Sequence, residues 1–185
     1  MFPFRALSPR VEVWGTSMLG VLQAVRDLGV SPRELDGLLQ LHRLPQPEPE
    51  GWYAQSDYLA LLETLGRRHG MAWLRGLGRQ VPRTSMFPPE IRSLERALRT
   101  LDVAYHMNHR GGPIGGYLYE GQGHFAGRIH CDTPYGCDFD LGILQGLVDR
   151  FHSTGDAQII HLLEPGCRAK GDPTCVYRLE WSDPG

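Results

Sequence analysis

Three of the four cysteines lie in the segment from Cys137 to Cys175, at a spacing that suits a metal site. Cys167 follows Cys137 after 29 intervening residues, Cys175 follows after seven more, and Glu164 lies just before the second cysteine. Thiolates, imidazoles and carboxylates are the ligands of a tetrahedral zinc ion. Three thiolates and a carboxylate leave no open position for water, so the predicted zinc would be structural. The alternative is that these are reduced thiols packed as small hydrophobic side chains.

Two other side chains can replace Glu164 as the fourth ligand. His161 lies three residues before Glu164, and Cys131 lies six residues before Cys137. A disulfide is not expected, because the chain begins without an apolar secretory segment and stable disulfides are rare in a reducing cytosol. We therefore expect a cytoplasmic protein with free thiols.

The same region resembles the end of a 4-vinyl reductase domain. The similarity lies in Pro134–Gly142, with the sequence PYGCDFDLG, and in Glu164–Cys175, with the sequence EPGCRAKGDPTC. That family includes the sensory domains of bacterial activators that respond to phenols and other aromatic compounds. In those sensors three cysteines and a glutamate hold a zinc ion. The resemblance implies the same ligand set here: Cys137, Glu164, Cys167 and Cys175.

The resemblance also implies a function, namely a regulatory or sensory domain that binds a small hydrophobic or aromatic ligand. The ATPase and DNA-binding domains that follow in those activators do not follow here, so we expect the signal to pass to a separate effector protein. The family is also distantly related to haem-based gas sensors. On that alternative, His106 or His109 would ligate iron.

No catalytic motif accompanies the cysteines. The chain contains no nucleophile elbow, phosphate-binding loop, His-Glu-x-x-His motif or dinucleotide fingerprint. A zinc ion held by three thiolates is also a poor Lewis acid, because the thiolate charge offsets its own. We therefore expect the protein not to be an enzyme.

Length and charge limit the remaining classes. The 185 residues predict one domain, 1–185, in which 1–110 form a mainly helical lobe and 111–185 a mixed α/β module. A formal charge of −2 gives no overall attraction to nucleic acid or to an acidic membrane, and no apolar run is long enough to cross a bilayer. Acidic residues also interrupt the arginines of a possible helix-turn-helix near the N-terminus, so we do not expect direct binding to nucleic acid.

Apolar periodicity predicts most of the helices. Helical spacing starts after Thr16 and Ser17 and stops at Gly29, a capping box at Ser31 opens a short helix, and further helical patterns run from residue 56 to 70 and from 73 towards a turn that begins at Pro82. A regular stripe follows, and it suits packing within the chain or, as a hypothesis, a homodimer through this helix. The stripe consists of Ile91, Leu94, Leu98, Leu101 and Tyr105.

The second half reads as strands around one helix. Residues 114–120 and 124–132 predict a hairpin, a helix follows through Phe151, and 157–163 and 174–181 return to extended structure. We therefore expect an α+β fold with helices against one face of an antiparallel sheet. A ligand pocket between lobe and sheet would be lined by Trp73, Tyr105, His106, Tyr117 and Phe125. The alternative function is a scaffold or adaptor that dimerises through its helices and binds no small ligand.

Overall fold

The fold is α+β, as the sequence predicts, with a helical N-terminal lobe packed on an antiparallel sheet. The structure, a computed structural model, describes residues 4–152, 156–163 and 166–182. Its helices are α1 (Gly15–Asp27), α2 (Pro32–Leu41), α3 (Gln55–His69), α4 (Met71–Thr84), α5 (Leu94–Met107) and α6 (Cys137–Phe151). Its strands are β1 (Glu12–Trp14), β2 (Trp52–Ala54), β3 (His109–Arg110), β4 (Tyr117–Gly121), β5 (Ala126–Cys131), β6 (Ala157–Leu162) and β7 (Cys175–Trp181).

Two antiparallel sheets organise the strands. The larger has the order β4-β5-β7-β6, so the predicted hairpin β4–β5 lies beside the C-terminal strand pair. Within it, Cys131 of β5 is opposite Cys175 of β7. Cys175, Tyr177 and Leu179 alternate along β7 and are buried. The smaller sheet, β2-β1-β3, was not predicted.

The apolar stripe on α5 packs inside this chain. Leu94, Leu98, Leu101 and Tyr105 are all buried in the main hydrophobic core, which draws residues from both halves of the chain. The helix therefore does not offer the stripe to a second copy. The homodimer stays a prediction, although the apolar stripe no longer supports it. The division into two lobes also stays a prediction.

Helices α4 and α6 are in close backbone contact, and glycines permit it. A Cβ on Gly142 would lie 2.1 Å from the carbonyl oxygen of Arg75, and one on Gly78 would lie 2.2 Å from that of Phe139. Both distances are too short for any side chain to be added without moving a helix. Ion pairs Arg75–Asp138 and Arg79–Asp149 flank this contact. The packing fixes the first turn of α6, which begins at Cys137.

Several element boundaries differ from the sequence-based expectations. Helix α4 continues through Pro82 to Thr84, because a proline in the last turn of a helix removes only one hydrogen bond. Strand β4 begins at Tyr117 rather than at residue 114. The cap at Ser31 is confirmed, since its Oγ accepts from Glu34 N. Among the described residues, no helix is long and apolar enough to cross a membrane.

Candidate functional site

Four side chains from four different segments meet at one end of the larger sheet. We call them the sulfur cluster: Cys137, His161, Cys167 and Cys175. One potential ligand atom from each lies within 4.8 Å of all the others. The Cys137 and Cys175 sulfurs are 3.2 Å apart, and the Cys167 sulfur is 3.8 Å from each. The sequence-based expectation that the three cysteines converge agrees with this geometry.

The approach of Cys167 to Cys175 follows from a tight turn between them. A single turn of 3₁₀-helix covers Arg168–Lys170, and Gly171 ends it with a φ of 98°, a conformation that favours glycine. The carboxylate of Asp172 accepts a hydrogen bond of 2.8 Å from Cys167 N and holds the turn closed. The chain therefore returns with Cys175 directly beside Cys167.

Hydrogen bonds to sulfur favour negative charge on Cys175. Its sulfur accepts from the backbone N of Arg168 at 3.3 Å and from the guanidinium Nε at 3.5 Å. The hydrogen bond from Cys137 lowers the pKa of Cys175, and the same bond raises the pKa of Cys137. These contacts favour the thiolate form at Cys175 over the thiolate form at Cys137.

Arg168 also connects the sulfur cluster to α6 through a buried ion pair. The exposed fractions of the Arg168 and Asp140 side chains are 2% and 0%. The Arg168 guanidinium donates to the carbonyl oxygens of Thr133 and Tyr135 as well. Asp140 accepts from the Tyr117 hydroxyl at 2.7 Å and from the Cys131 thiol at 3.1 Å. A buried charge is tolerated only with such partners.

The fourth position of the cluster is His161, one of the two alternatives that the sequence left open. Its ring stacks on Tyr177 with the centroids 4.6 Å apart. Cys131, the other alternative, is outside the cluster, because its thiol bonds Asp140, and burial raises its pKa well above the usual value. Glu164, the ligand that the resemblance implies, lies outside the described residues. Three soft sulfurs and one imidazole nitrogen are donors of the type that bind soft cations in closed sites.

A second buried region fills the space between the helical lobe and the sheet. We call it the aromatic interior, and its ring contacts join α3, α5, β3, β4 and α6. Centroid distances run from 4.2 Å for Tyr105–His109 to 6.5 Å for Tyr58–Tyr135. Its members are Tyr58, Tyr105, His109, Tyr117, Tyr135 and Phe139.

The polar atoms of the aromatic interior are largely engaged with one another. His109 has both ring nitrogens at 2.8 Å from a partner: Nδ1 donates to the Tyr105 carbonyl oxygen, and Nε2 accepts from the Tyr135 hydroxyl. The Tyr105 hydroxyl donates to the Ile114 carbonyl oxygen at 2.6 Å. Burial lowers the pKa of His109 to about 4, so the imidazole is neutral at pH 7.

The five residues predicted to line a ligand pocket do not form one. Tyr105 contacts the rings of His106 and Tyr117, but His106 is exposed. Trp73 instead stacks on His69 and bonds the Leu28 carbonyl oxygen. Phe125 lies in the β4–β5 turn and is 37% exposed. The packing of Tyr105 and Tyr117 against other rings leaves no room for a ligand between them.

Two depressions on the described part of the chain are small. One of about 250 Å³ is lined by Phe4, Met71, Leu74, Gly136, Cys137, Asp138 and Ala169. Another of about 280 Å³ lies on the β6–β7 edge, around Asp156 and Trp181. Pockets for drug-sized ligands usually hold about 300–1,000 Å³. The first depression matters most, because its wall includes Cys137 of the sulfur cluster.

Solved H-NOX structures share this fold. The chain matches an H-NOX protein from S. oneidensis in the Fe(II)NO ligation state at 14% identity, over 92% of this chain and 99% of that one, with a TM-score of 0.69. An oxygen-binding H-NOX domain related to soluble guanylate cyclases matches at 17% identity, over 92% and 95%, with a TM-score of 0.69. A structure whose description concerns haem redox potential and porphyrin distortion matches at 17% identity. It covers 92% of this chain and 96% of that one, with a TM-score of 0.69. No family model and no curated protein matches the chain.

These comparisons correct the expectation that zinc is the cofactor. The solved neighbours are described by iron ligation, oxygen binding and haem redox potential, so the cofactor to which they point is haem and not zinc. The sequence-based prediction of zinc, which rested on the spacing of the cysteines and on the resemblance to the 4-vinyl reductase family, was wrong. The cysteines do converge, but convergence of thiols does not identify a cofactor.

The described residues of this chain do not fit a haem either. The space between lobe and sheet is filled by the aromatic interior, and neither depression described above reaches the volume that drug-sized ligands need, which a haem exceeds. His109 has no free ring nitrogen for iron, and His106 projects from the exposed side of α5. Neither histidine that the sequence offered as an iron ligand therefore has a haem site around it.

Sequence reasoning missed the two charged residues that organise the site. Asp140 and Arg168 are the buried ion pair between the sulfur cluster and the aromatic interior. Asp140 lies in the first turn of α6, directly between the apolar residues Phe139 and Leu141, and a carboxylate at that place was the signal available in the sequence. Its partner could not be found, because 27 residues separate the two along the chain.

Proposed function

We propose that this chain is a small-molecule-sensing regulatory domain that has the H-NOX fold, works without a haem and acts through a partner chain. The observation that carries the proposal is the fold, which matches whole H-NOX domains over 92% of this chain while the interior is filled with side chains. The resemblance of the C-terminal third to a 4-vinyl reductase domain supports the same class, since that family includes small-molecule sensors.

Haem titration tests the haem-free part of this proposal. Purified reduced protein is titrated with haem under anaerobic conditions, and the Soret absorbance is followed before and after carbon monoxide is added. We expect no band that saturates at one haem per chain, because His109 is engaged at both nitrogens. A saturating band that disappears in His109→Ala and persists in His106→Ala would overturn the proposal.

The depression beside Cys137 is the place we propose for a small hydrophobic or aromatic ligand. Phe4, Met71 and Leu74 give it an apolar wall, and about 250 Å³ is room for a compound smaller than most drugs. A thermal-shift panel of small aromatic compounds tests this, with Met71→Trp as the variant that fills the depression. We expect stabilisation of the wild type that Met71→Trp abolishes. Equal shifts in both proteins, or no shift with any compound, would contradict the proposed ligand site.

A scaffold or adaptor function is the second candidate. Helix α5 turns Val103 and Met107 to solvent, with exposed fractions of 59% and 72%. These two side chains lie one helical turn apart and offer an apolar contact to a partner. Sedimentation of wild type and of Val103→Glu at micromolar concentration separates the candidates. A wild-type dimer that the substitution dissociates, together with no thermal shift from any compound of the panel, favours the scaffold. A monomer that is stabilised by a compound favours the sensor.

Three further expectations stay proposals. The protein is not an enzyme, it is cytoplasmic, and it passes its signal to an effector protein without contacting nucleic acid. A sensory function accounts for all three, since such a domain needs a ligand and a partner but no catalytic group.

A further inference from the structure

We propose that Cys137 and Cys175 form an oxidation site for hydrogen peroxide, and that the product is a disulfide between them. This inference deepens the proposed function, on which it rests, by naming the chemistry of one signal. It starts from the sulfur–sulfur distance of 3.2 Å. A disulfide bond is about 2 Å long, so the two sulfurs need to approach by only about 1 Å.

Access favours Cys137 as the first sulfur to react. Cys137 is half-buried and lines the depression of about 250 Å³, whereas Cys175 and Cys167 are buried at 0% and 2% exposure. Hydrogen peroxide is hardly larger than water and enters such a depression. Cys131, the remaining cysteine, is fully buried away from that depression, against Asp140.

The surroundings of Cys175 suit the second step. Arg168 donates to this sulfur from both its backbone N and its guanidinium, and these two hydrogen bonds hold the Cys175 sulfur in place beside Cys137. Cys175 is fully buried and does not line the depression, and its sulfur is nearer to the Cys137 sulfur than that of Cys167 is. A resolving thiol needs this placement, close to the oxidised sulfur and shielded from the oxidant.

The reaction balances with peroxide as the only oxidant. The Cys137 sulfur, after its proton passes to Cys175 or to solvent, attacks one peroxide oxygen; the O–O bond breaks, and the departing hydroxide takes a proton to become water. Cys137 is then a sulfenic acid. Cys175 gives up its proton and its sulfur attacks the Cys137 sulfur; the S–O bond breaks, and the departing hydroxide takes that proton, directly or through solvent, and leaves as a second water. In total, two thiols and one H₂O₂ give one disulfide and two waters.

The product would change what Arg168 contacts. A disulfide carries no charge, so oxidation removes the negative sulfur beside the guanidinium and leaves Asp140 as its anionic partner. It also ties the first residue of α6 to the first residue of β7. Since α6 is in backbone contact with α4, a shift of α6 caused by the disulfide would be passed to α4 and so to the helical lobe.

The experiment maps the disulfide. Protein is reduced and treated with a chelator, its metal content is measured, and it is then exposed to increasing hydrogen peroxide; free thiols are blocked, and peptides are analysed by mass spectrometry. We expect a Cys137–Cys175 linked peptide that dithiothreitol removes, with Cys131 still blocked as a free thiol. The matched control Cys131→Ser should give the same linked peptide with the same peroxide dependence.

A trapping experiment addresses the order of the two steps. In Cys175→Ser the sulfenic acid has lost its nearest thiol, so we expect dimedone to label Cys137 several-fold more than in the wild type. Short peroxide pulses on the wild type give the same information if the variant does not fold. No linked peptide at doses that oxidise free glutathione, or a link that involves Cys131, would overturn the inference. A saturating Soret band in the haem titration would contradict the proposed function and leave this result standing, so the two failures are distinguishable.

Discussion

The sulfur cluster and the aromatic interior are both buried, yet they differ in how their polar atoms are used. In the aromatic interior, His109 and the hydroxyls of Tyr105 and Tyr117 each have a partner inside the protein. In the sulfur cluster, the thiols have mainly one another and Arg168. A group whose hydrogen bonds are satisfied has little to offer a ligand. Of the two regions, the sulfur cluster therefore has the greater capacity for chemistry.

The two regions are joined by one ion pair. Asp140 accepts from Tyr117 on the aromatic side, and Arg168 donates to Cys175 on the sulfur side. Burial raises the pKa of Asp140, while Arg168 and the hydrogen bonds to its carboxylate oppose that shift. The pair is thus the element whose loss should affect both regions, and it provides the sharpest test of the comparison.

The largest effect is expected for Arg168→Met. It leaves the Asp140 carboxylate buried without its cation, and losing one partner of a buried ion pair costs about 3–5 kcal/mol. Urea denaturation measures the change in the free energy of unfolding. Arg75→Met is the matched control, because Arg75 pairs with Asp138 on the same helix but is 43% exposed, and its loss should cost at most about 1 kcal/mol. Similar costs for the two variants would refute the role given to the buried pair.

The next effect is a dependence of stability on pH that His109 causes. Its pKa is about 4 in the folded protein and 6.5 as a free side chain, so the unfolded chain takes up a proton first as the pH falls. The free energy of unfolding should therefore drop between pH 6.5 and pH 4, by about 3 kcal/mol from this group, and level off below pH 4.

Comparison with His109→Gln isolates this contribution from that of the carboxylates. Urea midpoints are measured for both proteins at intervals from pH 4 to pH 7, and the wild type should lose the greater stability across this window. His106→Gln is the control for the loss of an exposed imidazole, since His106 lies three residues earlier, in the last turn of α5. Parallel profiles for all three proteins would mean that the His109 ring is not held in its neutral form.

A smaller effect tests the scaffold that both regions share. Gly142→Ala places a methyl group 2.1 Å from the Arg75 carbonyl oxygen, so α4 and α6 must separate, at a cost of about 1–3 kcal/mol. Gly76→Ala is the matched control on α4, with nothing within 4 Å of the added Cβ, and it should stabilise the helix by about 0.5–1 kcal/mol. Thermal denaturation shows whether each variant is more or less stable than the wild type. A change of the same sign in both variants would contradict the close helix contact.

Sequence patterns predicted the features that depend on neighbours along the chain. Periodicity located α3, α5 and α6, and the spacing of the cysteines predicted that Cys167 and Cys175 converge. Strands β1 to β3 were missed because each has two or three residues, too few for alternation to show. His161, on strand β6, occupies the fourth place because β6 pairs with β7 and so lies beside Cys175. Arg168 and Asp140 are likewise brought together only by the fold. The packing that fills the interior also depends on contacts between residues that are distant along the chain.

The smallest effect concerns single hydroxyl groups, and it compares a buried tyrosine with a half-exposed one. Tyr105→Phe removes the donor to the Ile114 carbonyl oxygen, and an acceptor left unpaired in the core should cost about 1–2 kcal/mol. Tyr53→Phe removes a hydroxyl that accepts from Glu48 N at 2.7 Å in a solvent-accessible turn, where water replaces it, so the cost should stay below about 0.5 kcal/mol. Urea midpoints give both values. If Tyr105→Phe lowers the free energy of unfolding no more than Tyr53→Phe does, the hydrogen bonds in the aromatic interior contribute less than their geometry indicates. The difference between the aromatic interior and the sulfur cluster would then be smaller than described.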